Sequence, residues 1–161
     1  MTAAEYNLCV DKHADNVYRF ILKNIKDKDK AKDIVQDAFE KMWIKVDEIS
    51  DDKSRSYLFT TAYHTMIDLI RKEKKNADFE EVEPYTQGYK SEYNGLKEIL
   101  DEAMNRLPQI QKDVLLLRDY EGYSYEEIGE ITNLSESQVK VYIFRARLFI
   151  KNYIGPLEKV I

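Results

Sequence analysis

The chain has 161 residues, of which 43% are hydrophobic and 34% are charged, a composition typical of a soluble globular protein. No apolar run is long enough to cross a bilayer, and the first residues lack the basic-then-apolar order of a signal peptide. The net charge of −5 argues against a protein that coats DNA by electrostatics alone. We therefore expect a cytoplasmic protein with no membrane insertion.

Three amphipathic segments fill the first half of the chain. Apolar spacing predicts helices from about Ala4 to Ile25, over 31–46 and over 55–75. The second helix is expected to bury Ile34, Val35, Ala38, Phe39, Met42, Trp43 and Val46. Its outward residues would be Asp33, Gln36, Asp37, Glu40 and Lys41. Core residues of the third helix would be Leu58, Ala62, Met66 or Thr65, and Leu69.

The third predicted helix combines aromatic residues with a basic end. We expect partial exposure for Tyr57, Phe59, Tyr63 and His64. Four cations against Glu73 give a net charge of +3 at Arg71, Lys72, Lys74 and Lys75. This mixture suits stacking of unpaired bases and neutralisation of phosphates. The alternative is that the aromatic residues are core and the cations form a solvated helix end.

The helical period then stops, and acidic residues dominate. From Asp78 to Glu102 the chain has eight acidic residues against two lysines. The stretch before Gly95 also contains Pro84 and Gly88 but has no sustained period, which indicates a linker. We predict an acidic linker over 77–94 between one domain over 1–76 and another over 95–161.

The second domain is predicted to end in a helix-turn-helix. Its first two helices cover 96–107 and the segment that begins at Pro108 and closes at Gly122. Two capping boxes then mark two further helix starts, Ser124 with Glu127 and Ser135 with Gln138. Asn133 suits a left-handed turn between them. Gly129 would let the last helix cross closely.

The last predicted helix has two distinct faces. The inward stripe is Val139, Ile143, Ala146 and Ile150. The outward face carries Ser137, Gln138, Lys140, Val141, Arg145 and Arg147. Amide and guanidinium side chains can make bidentate contacts to base edges in a DNA major groove. The alternative is a plain helical hairpin with a solvated basic face.

The sequence offers little for catalysis or metal binding. The single Cys9 excludes an internal disulfide and is expected to be a small core residue. One cysteine with two distant histidines predicts no structural zinc site, and we expect no cofactor. There is no glycine-rich phosphate loop and no nucleophile with a nearby base. We do not expect an enzyme.

Three segments in order resemble bacterial sigma factors of the extracytoplasmic-function (ECF) group. They are AKDIVQDAFEKMW, SYLFTTAYHTMIDLIRKEKK and LPQIQKDVLLLRDYEGYSYEEIGEITNLSESQVKVYIFRAR. The resemblance covers nearly the whole chain. It implies an all-α protein of two small domains, similar to sigma regions 2 and 4, that binds core RNA polymerase, recognises promoter DNA and assists promoter melting. It also allows for an anti-sigma factor as a partner.

The resemblance assigns roles to three groups of residues. Polymerase binding falls to Asp33, Gln36 and Asp37. Capture of the melted −10 element falls to the loop from Asp51 to Arg55 and to Tyr63, His64, Arg71, Lys72, Lys74 and Lys75. Recognition of the −35 element falls to Ser137, Gln138, Lys140, Val141, Arg145 and Arg147.

This chain departs from the family pattern in two places. Ala62, Tyr63 and His64 stand where many members have Ala-Arg-Asn, and Tyr142 stands where many have Arg. A stand-alone helix-turn-helix repressor or activator is the rival hypothesis, and an adaptor that binds only proteins is a third. Neither rival explains both the DIVQDAF segment and the helix-turn-helix.

Overall fold

The computed structural model describes residues 1–77 and 95–158, and these residues form α-helices and short 3₁₀ turns without a β-strand. The helices are α1 (Ala3–Ile25), α2 (Lys28–Ile44), α3 (Ser54–Ala77), α4 (Leu96–Arg106), α5 (Gln109–Asp119), α6 (Tyr125–Thr132) and α7 (Glu136–Glu158). The all-α prediction is confirmed. The predicted linker lies outside the described residues, except for Ala77, with which α3 ends.

The first unit is a three-helix bundle in which each of α1, α2 and α3 packs on the other two. Its buried side chains include Val17, Phe20, Ile21, Ile34, Ala38, Met42, Leu58, Phe59, Ala62 and Met66. Burial of one large apolar side chain contributes roughly 1.5–3 kcal/mol relative to its exposure. This core fixes which faces of α2 and α3 point outward. Cys9 is buried, as predicted.

The polar run between α1 and α2 contains both helix caps. Lys26 adopts a left-handed conformation at the end of α1, with φ 59°. The Asp27 carboxylate accepts hydrogen bonds from the backbone N–H groups of Asp29 and Lys30, which caps the start of α2. The run that interrupts the hydrophobic period is therefore a tight connection between two capped helices.

The exposure predicted for three aromatic residues of this unit was wrong. Phe59 and Tyr63 were expected to be partly accessible, but they are 0% and 5% exposed. Phe20 packs against both rings, with centroid distances of 5.9 and 6.5 Å. Trp43 was expected on the buried face but is 49% exposed, since it lies in the last turn of α2, where its ring packs at a tilt against Tyr6 with centroids 5.0 Å apart.

In the second unit, α7 packs on α4 and α5. Pro108 occupies the N-cap position of α5, and Gly122 beyond the end of α5 has φ 73°, as its sequence position predicts. The buried apolar residues include Ala103, Met104, Val114, Leu115, Leu116, Leu117, Val139, Ile143 and Ala146. This packing holds α7 with its opposite face exposed.

Within the described ranges, no helix combines the length and apolarity that a membrane span requires.

Candidate nucleic-acid and partner interfaces

Both predicted capping boxes are present in the helix-turn-helix. The Ser124 hydroxyl accepts from the Glu127 N–H at 3.1 Å, and the Glu127 carboxylate accepts from the Ser124 N–H at 3.1 Å. The Ser135 hydroxyl accepts from the Gln138 N–H at 3.2 Å, and the Gln138 amide oxygen accepts from the Ser135 N–H at 3.0 Å. Because its oxygen serves the cap, Gln138 presents mainly its NH₂ group to a ligand.

The turn between α6 and α7 depends on two residues. Asn133 has φ 64° and ψ 38°, the left-handed conformation predicted for it. A Cβ on Gly129 would lie 2.7 Å from the backbone oxygen of Leu134. The close approach that Gly129 permits is therefore to the backbone of the turn, whereas the sequence prediction had placed it against the last helix itself.

The outward face of α7 is as predicted. All of its predicted residues are exposed, namely Ser137, Gln138, Lys140, Val141, Arg145 and Arg147. On the inward face, Val139, Ile143 and Ala146 are buried and Ile150 is half-buried. Two of the outward cations have acidic neighbours within the protein, because Lys140 pairs with Glu136 at 3.4 Å and Arg147 pairs with Asp119 at 2.6 Å.

The outward face of α2 carries the predicted acidic and amide residues. Asp33 and Gln36 are exposed and Asp37 is half-buried. The Asp37 carboxylate pairs with Lys41 one turn later at 2.8 Å. Residues at spacings of three and four lie on one side of a helix, so this face is a continuous polar surface on a rigid element.

The exposed part of α3 is its basic end. Arg71, Lys72, Lys74 and Lys75 are exposed, and Lys30 pairs with Glu73 between them. His64 is also exposed, and its ring meets Tyr63 edge-on at 5.5 Å. The Tyr63 ring is buried, so it presents no open face for a base on this surface, and its predicted role at the −10 element stays a prediction.

The loop that precedes α3 forms one wall of a groove of about 960 Å³, and α1 forms the other. Asp51 and Asp52 of the loop and Arg55 in the first turn of α3 line this side, and the Ser54 hydroxyl donates to the Asp51 carbonyl at 2.7 Å. His13 lines the α1 side, and burial lowers its pKa, with Arg55 and Lys12 as further causes. The loop was predicted as part of a site, whereas the α1 wall was not.

Family matches fall on both units. The sigma-70 region 2 family matches residues 9–76, and the sigma-70 region 4 family matches residues 97–150. The chain is 32% identical over 141 residues to RNA polymerase sigma factor SigV of Bacillus subtilis (strain 168), with 86% of this chain and 84% of SigV covered. It is 30% identical over 145 residues to ECF RNA polymerase sigma factor SigM of the same organism, with 86% and 88% covered. The chain belongs to the ECF group of RNA polymerase sigma factors.

Solved structures share the fold of this sigma factor. The sigma factor RpoE from Bartonella quintana, solved in complex with the anti-sigma factor NepR, aligns with a TM-score of 0.76 at 22% identity. That alignment covers 91% of this chain and 94% of the other. CnrH, solved in complex with the cytosolic domain of CnrY, aligns with a TM-score of 0.67 at 19% identity, covering 94% and 88%. The family resemblance inferred from the sequence is confirmed.

A cluster of cations surrounds Tyr125, the first residue of α6 in this sigma factor, and the sequence did not predict it. The Arg118 guanidinium carbon lies 4.4 Å from the centre of the Tyr125 ring, and the Lys140 ammonium lies 5.6 Å from it. The hydrogen bond to Asp119 raises the pKa of Arg147, with smaller contributions from Tyr125. These residues come from three different helices, so no spacing rule connects them.

An exposed apolar stripe on α7 of the sigma factor was also not predicted. Val141, Phe144 and Leu148 are 44%, 66% and 47% exposed and lie three and four residues apart. Neighbouring Phe149 is 39% exposed and stacks on Tyr153 at 6.1 Å. Exposed apolar residues grouped on one helix face are typical of a surface that another protein covers. Their three-and-four spacing was the available sequence signal.

Proposed function

We propose that this sigma factor binds core RNA polymerase, directs it to promoters with −35 and −10 elements, and assists strand opening. The polymerase supplies the nucleotidyl-transfer chemistry, so the sigma factor is not itself an enzyme. We place it in the cytoplasm, where bacterial polymerase and DNA lie. The observation that supports this proposal most directly is that one chain carries both sigma-70 region matches.

The proposal divides the work between two domains. Residues 1–76 form a region 2 domain, residues 95–161 form a region 4 domain, and residues 77–94 link them. In the first domain, Asp33, Gln36 and Asp37 contact the polymerase. The exposure of Asp33 and Gln36 beside half-buried Asp37 supports this role, because a rigid polar face with two carboxylates and an amide can complement a basic surface.

The −10 surface combines the basic end of α3 with the loop before it. Arg71, Lys72, Lys74 and Lys75 neutralise phosphates of the opened strand. His64 is the aromatic side chain that remains exposed on this helix, and buried Tyr63 holds it by edge contact. In this arrangement Tyr63 supports the −10 surface and does not touch a base.

The −35 surface is the outward face of α7. Ser137, Gln138, Lys140, Val141 and Arg145 lie within its first three turns, where a recognition helix meets the major groove. Arg147 lies one half-turn beyond Arg145 and is paired with Asp119, so we assign it to holding α7 in place.

The apolar stripe on α7 supports a protein partner as well. RpoE was solved with an anti-sigma factor, and CnrH was solved with the cytosolic domain of CnrY. We propose that an anti-sigma factor also binds this chain. The exposed Phe144 and Leu148 favour contact with protein over contact with the polar edges of DNA.

A reconstitution with core RNA polymerase tests the proposed function. The full chain is mixed with the core enzyme, the stoichiometry is measured by size-exclusion chromatography with light scattering, and transcripts are sequenced from a genomic template. We expect a one-to-one complex and defined start sites that core enzyme alone does not produce. Failure to bind core enzyme, together with tight promoter binding by the free chain, would favour a stand-alone transcription factor.

A further inference from the structure

Tyr125 lies where α5, α6 and α7 come together in the second unit. As the first residue of α6 it follows the N-cap Ser124, whose capping box fixes the local backbone. Arg118 from the last turn of α5 and Lys140 from α7 both approach its ring, at 4.4 and 5.6 Å. The ring is half-buried, so part of it is shielded from solvent while both cations can still reach water.

The two cations are restrained to different degrees. The Arg118 guanidinium donates to the Tyr123 carbonyl at 2.9 Å, so a backbone contact holds it beside the ring. Lys140 has a flexible four-carbon stem and a compact ammonium group, and its contacts are the ring and the Glu136 carboxylate at 3.4 Å. Both members of that ion pair are more than half exposed, which makes the pair weak.

The two contacts of Lys140 differ in their effect on DNA binding. Glu136 neutralises the ammonium and must release it before a phosphate can bind. The aromatic ring attracts the ammonium through its quadrupole but carries no net charge. A cation held by the ring therefore stays available to a phosphate oxygen, and less side-chain entropy is lost when the phosphate binds.

We infer that Tyr125 is a positioning residue for promoter binding, whose ring, held beside Arg118, orients Lys140 toward a phosphate of the −35 duplex. The inference rests on the proposed role of α7 in −35 recognition. It adds Tyr125 and Arg118, on separate helices, to a surface that the sequence placed on α7 alone. A phosphate is the expected ligand because an ammonium is a point charge. It lacks the planar geometry with which a guanidinium makes bidentate hydrogen bonds to a base edge.

The test compares variants of the full chain bound to core polymerase. Tyr125→Leu removes the ring but keeps an apolar side chain, and Tyr125→Phe keeps the ring but removes the hydroxyl. The probe is a promoter duplex that the wild-type holoenzyme selects from a randomised pool. Its dissociation constant is measured by fluorescence anisotropy across a salt series, and thermal melting of each free variant checks the fold.

We expect Tyr125→Leu to weaken binding about two- to fivefold, the effect of one exposed cation–π contact. Tyr125→Phe should recover most of that loss. Because Tyr125 acts through Lys140, Tyr125→Leu should add little further loss in a Lys140→Ala background, and both single variants should lower the salt dependence of binding. A purely structural role would instead give the same loss in both backgrounds, and that result would overturn the inference.

A second measurement does not depend on a variant folding. The side-chain methylene protons next to the Lys140 ammonium should be shifted upfield in the NMR spectrum of the wild-type chain by the Tyr125 ring. The shift should persist when promoter duplex binds. If the upfield shift is absent, the inference about Tyr125 is contradicted, while the proposed role of α7 in −35 recognition is unaffected. Normal binding by Lys140→Ala would contradict the assignment of Lys140 to DNA itself, and the inference with it.

Discussion

The guanidinium of Arg147 lies 2.6 Å from the carboxylate of Asp119, so the last residue of α5 is tied to the middle of α7. The sequence had placed Arg147 on the DNA-reading face, and its side chain is indeed half exposed. However, a guanidinium held by its own protein has fewer free N–H donors and less freedom to turn toward a base. The pair therefore favours a role for Arg147 in setting the orientation of α7.

We predict that Asp119→Ala and Arg147→Ala weaken promoter binding to a similar extent, because each removes the Asp119–Arg147 pair that orients α7. A half-exposed ion pair contributes about 0–1 kcal/mol, so urea unfolding should show losses of that size for both variants. Anisotropy titrations of the two holoenzymes on one promoter duplex make the comparison. A much larger loss of binding for Arg147→Ala would place Arg147 on the DNA, as the sequence first predicted.

The outward face of α2 can be tested by charge reversal at Asp37. Asp37→Arg should lower the affinity for core polymerase while leaving helicity and melting temperature nearly unchanged. The new Arg would face Lys41 one turn away, which costs the helix only about 0.2–0.5 kcal/mol. Affinity for core enzyme is measured by biolayer interferometry and folding by circular dichroism.

Asp15→Arg provides a matched control for this reversal. Asp15 lies on α1, is 66% exposed and pairs with Arg19 one turn later, so its reversal creates the same kind of local repulsion. The control should bind core polymerase normally. Equal losses in both variants would mean that net charge, and not the α2 face, governs the interaction.

Local rules predicted the elements of this fold well because the signals act over one or two helical turns. The Ser124 and Ser135 capping boxes and the left-handed Asn133 were all readable from neighbouring residues. Burial was harder to predict, since it depends on how many partners a helix meets. Phe59 and Tyr63 are buried because Phe20 of α1 packs on a second face of α3. The apolar spacing within α3 predicted only one buried face.

The candidate sites likewise contain some features that a single helix determines and others that depend on contacts between helices. The exposed faces of α2 and α7 follow from helical period alone. The contacts of Arg118 and Lys140 with Tyr125 require three helices to meet, and no pattern within one helix records that meeting. The sequence therefore predicted that Lys140 is exposed on α7. It could not predict that Lys140 and Arg118 contact an aromatic ring of another helix.

Lys140→Ala and Arg145→Ala should both impair initiation, by different routes. If Lys140 contacts only phosphate, its loss should weaken binding on all sequences and reduce the salt slope by about one. A base contact by Arg145 would instead cost about 1–3 kcal/mol and relax preference at a single position. Selection of promoters from a randomised pool with each holoenzyme distinguishes these outcomes. Normal initiation by both variants would show that the recognition helix has been misassigned.

Gly129 should be intolerant of even the smallest side chain. A Cβ there would lie 2.7 Å from the backbone oxygen of Leu134, so Gly129→Ala must push the turn away from α6. We expect a loss of about 1–3 kcal/mol in unfolding free energy and weaker promoter binding. Gly95→Ala is the control for loss of a glycine, because Gly95 has an ordinary φ of −69° at the start of α4 and, apart from its chain neighbours, no atom within 4 Å of an added Cβ. The control should change the unfolding free energy by no more than about 1 kcal/mol. Equal losses at the two positions would argue that loss of a glycine in itself, and not the close approach to Leu134, is responsible.

The free sigma factor should bind promoter duplex weakly. Its net charge of −5 denies it the long-range positive field that gives most DNA-binding proteins their non-specific affinity. The cations that we assign to DNA lie at the end of α3 and on one face of α7, and two of those on α7, Lys140 and Arg147, are paired with acidic residues. Core polymerase would contribute DNA contacts of its own. The complex would therefore bind promoter DNA more tightly than either protein alone. We expect tight, sequence-dependent binding and strand opening only after core polymerase is added.

A labelled promoter duplex is titrated at near-physiological salt with and without core enzyme, and permanganate reports unpaired thymines. Because electrostatic binding falls steeply with salt, the same titration at low salt shows whether any binding by the free chain is non-specific. Tight and specific binding by the free chain, with no gain in affinity and no melting when polymerase is added, would contradict this prediction and favour a stand-alone repressor or activator.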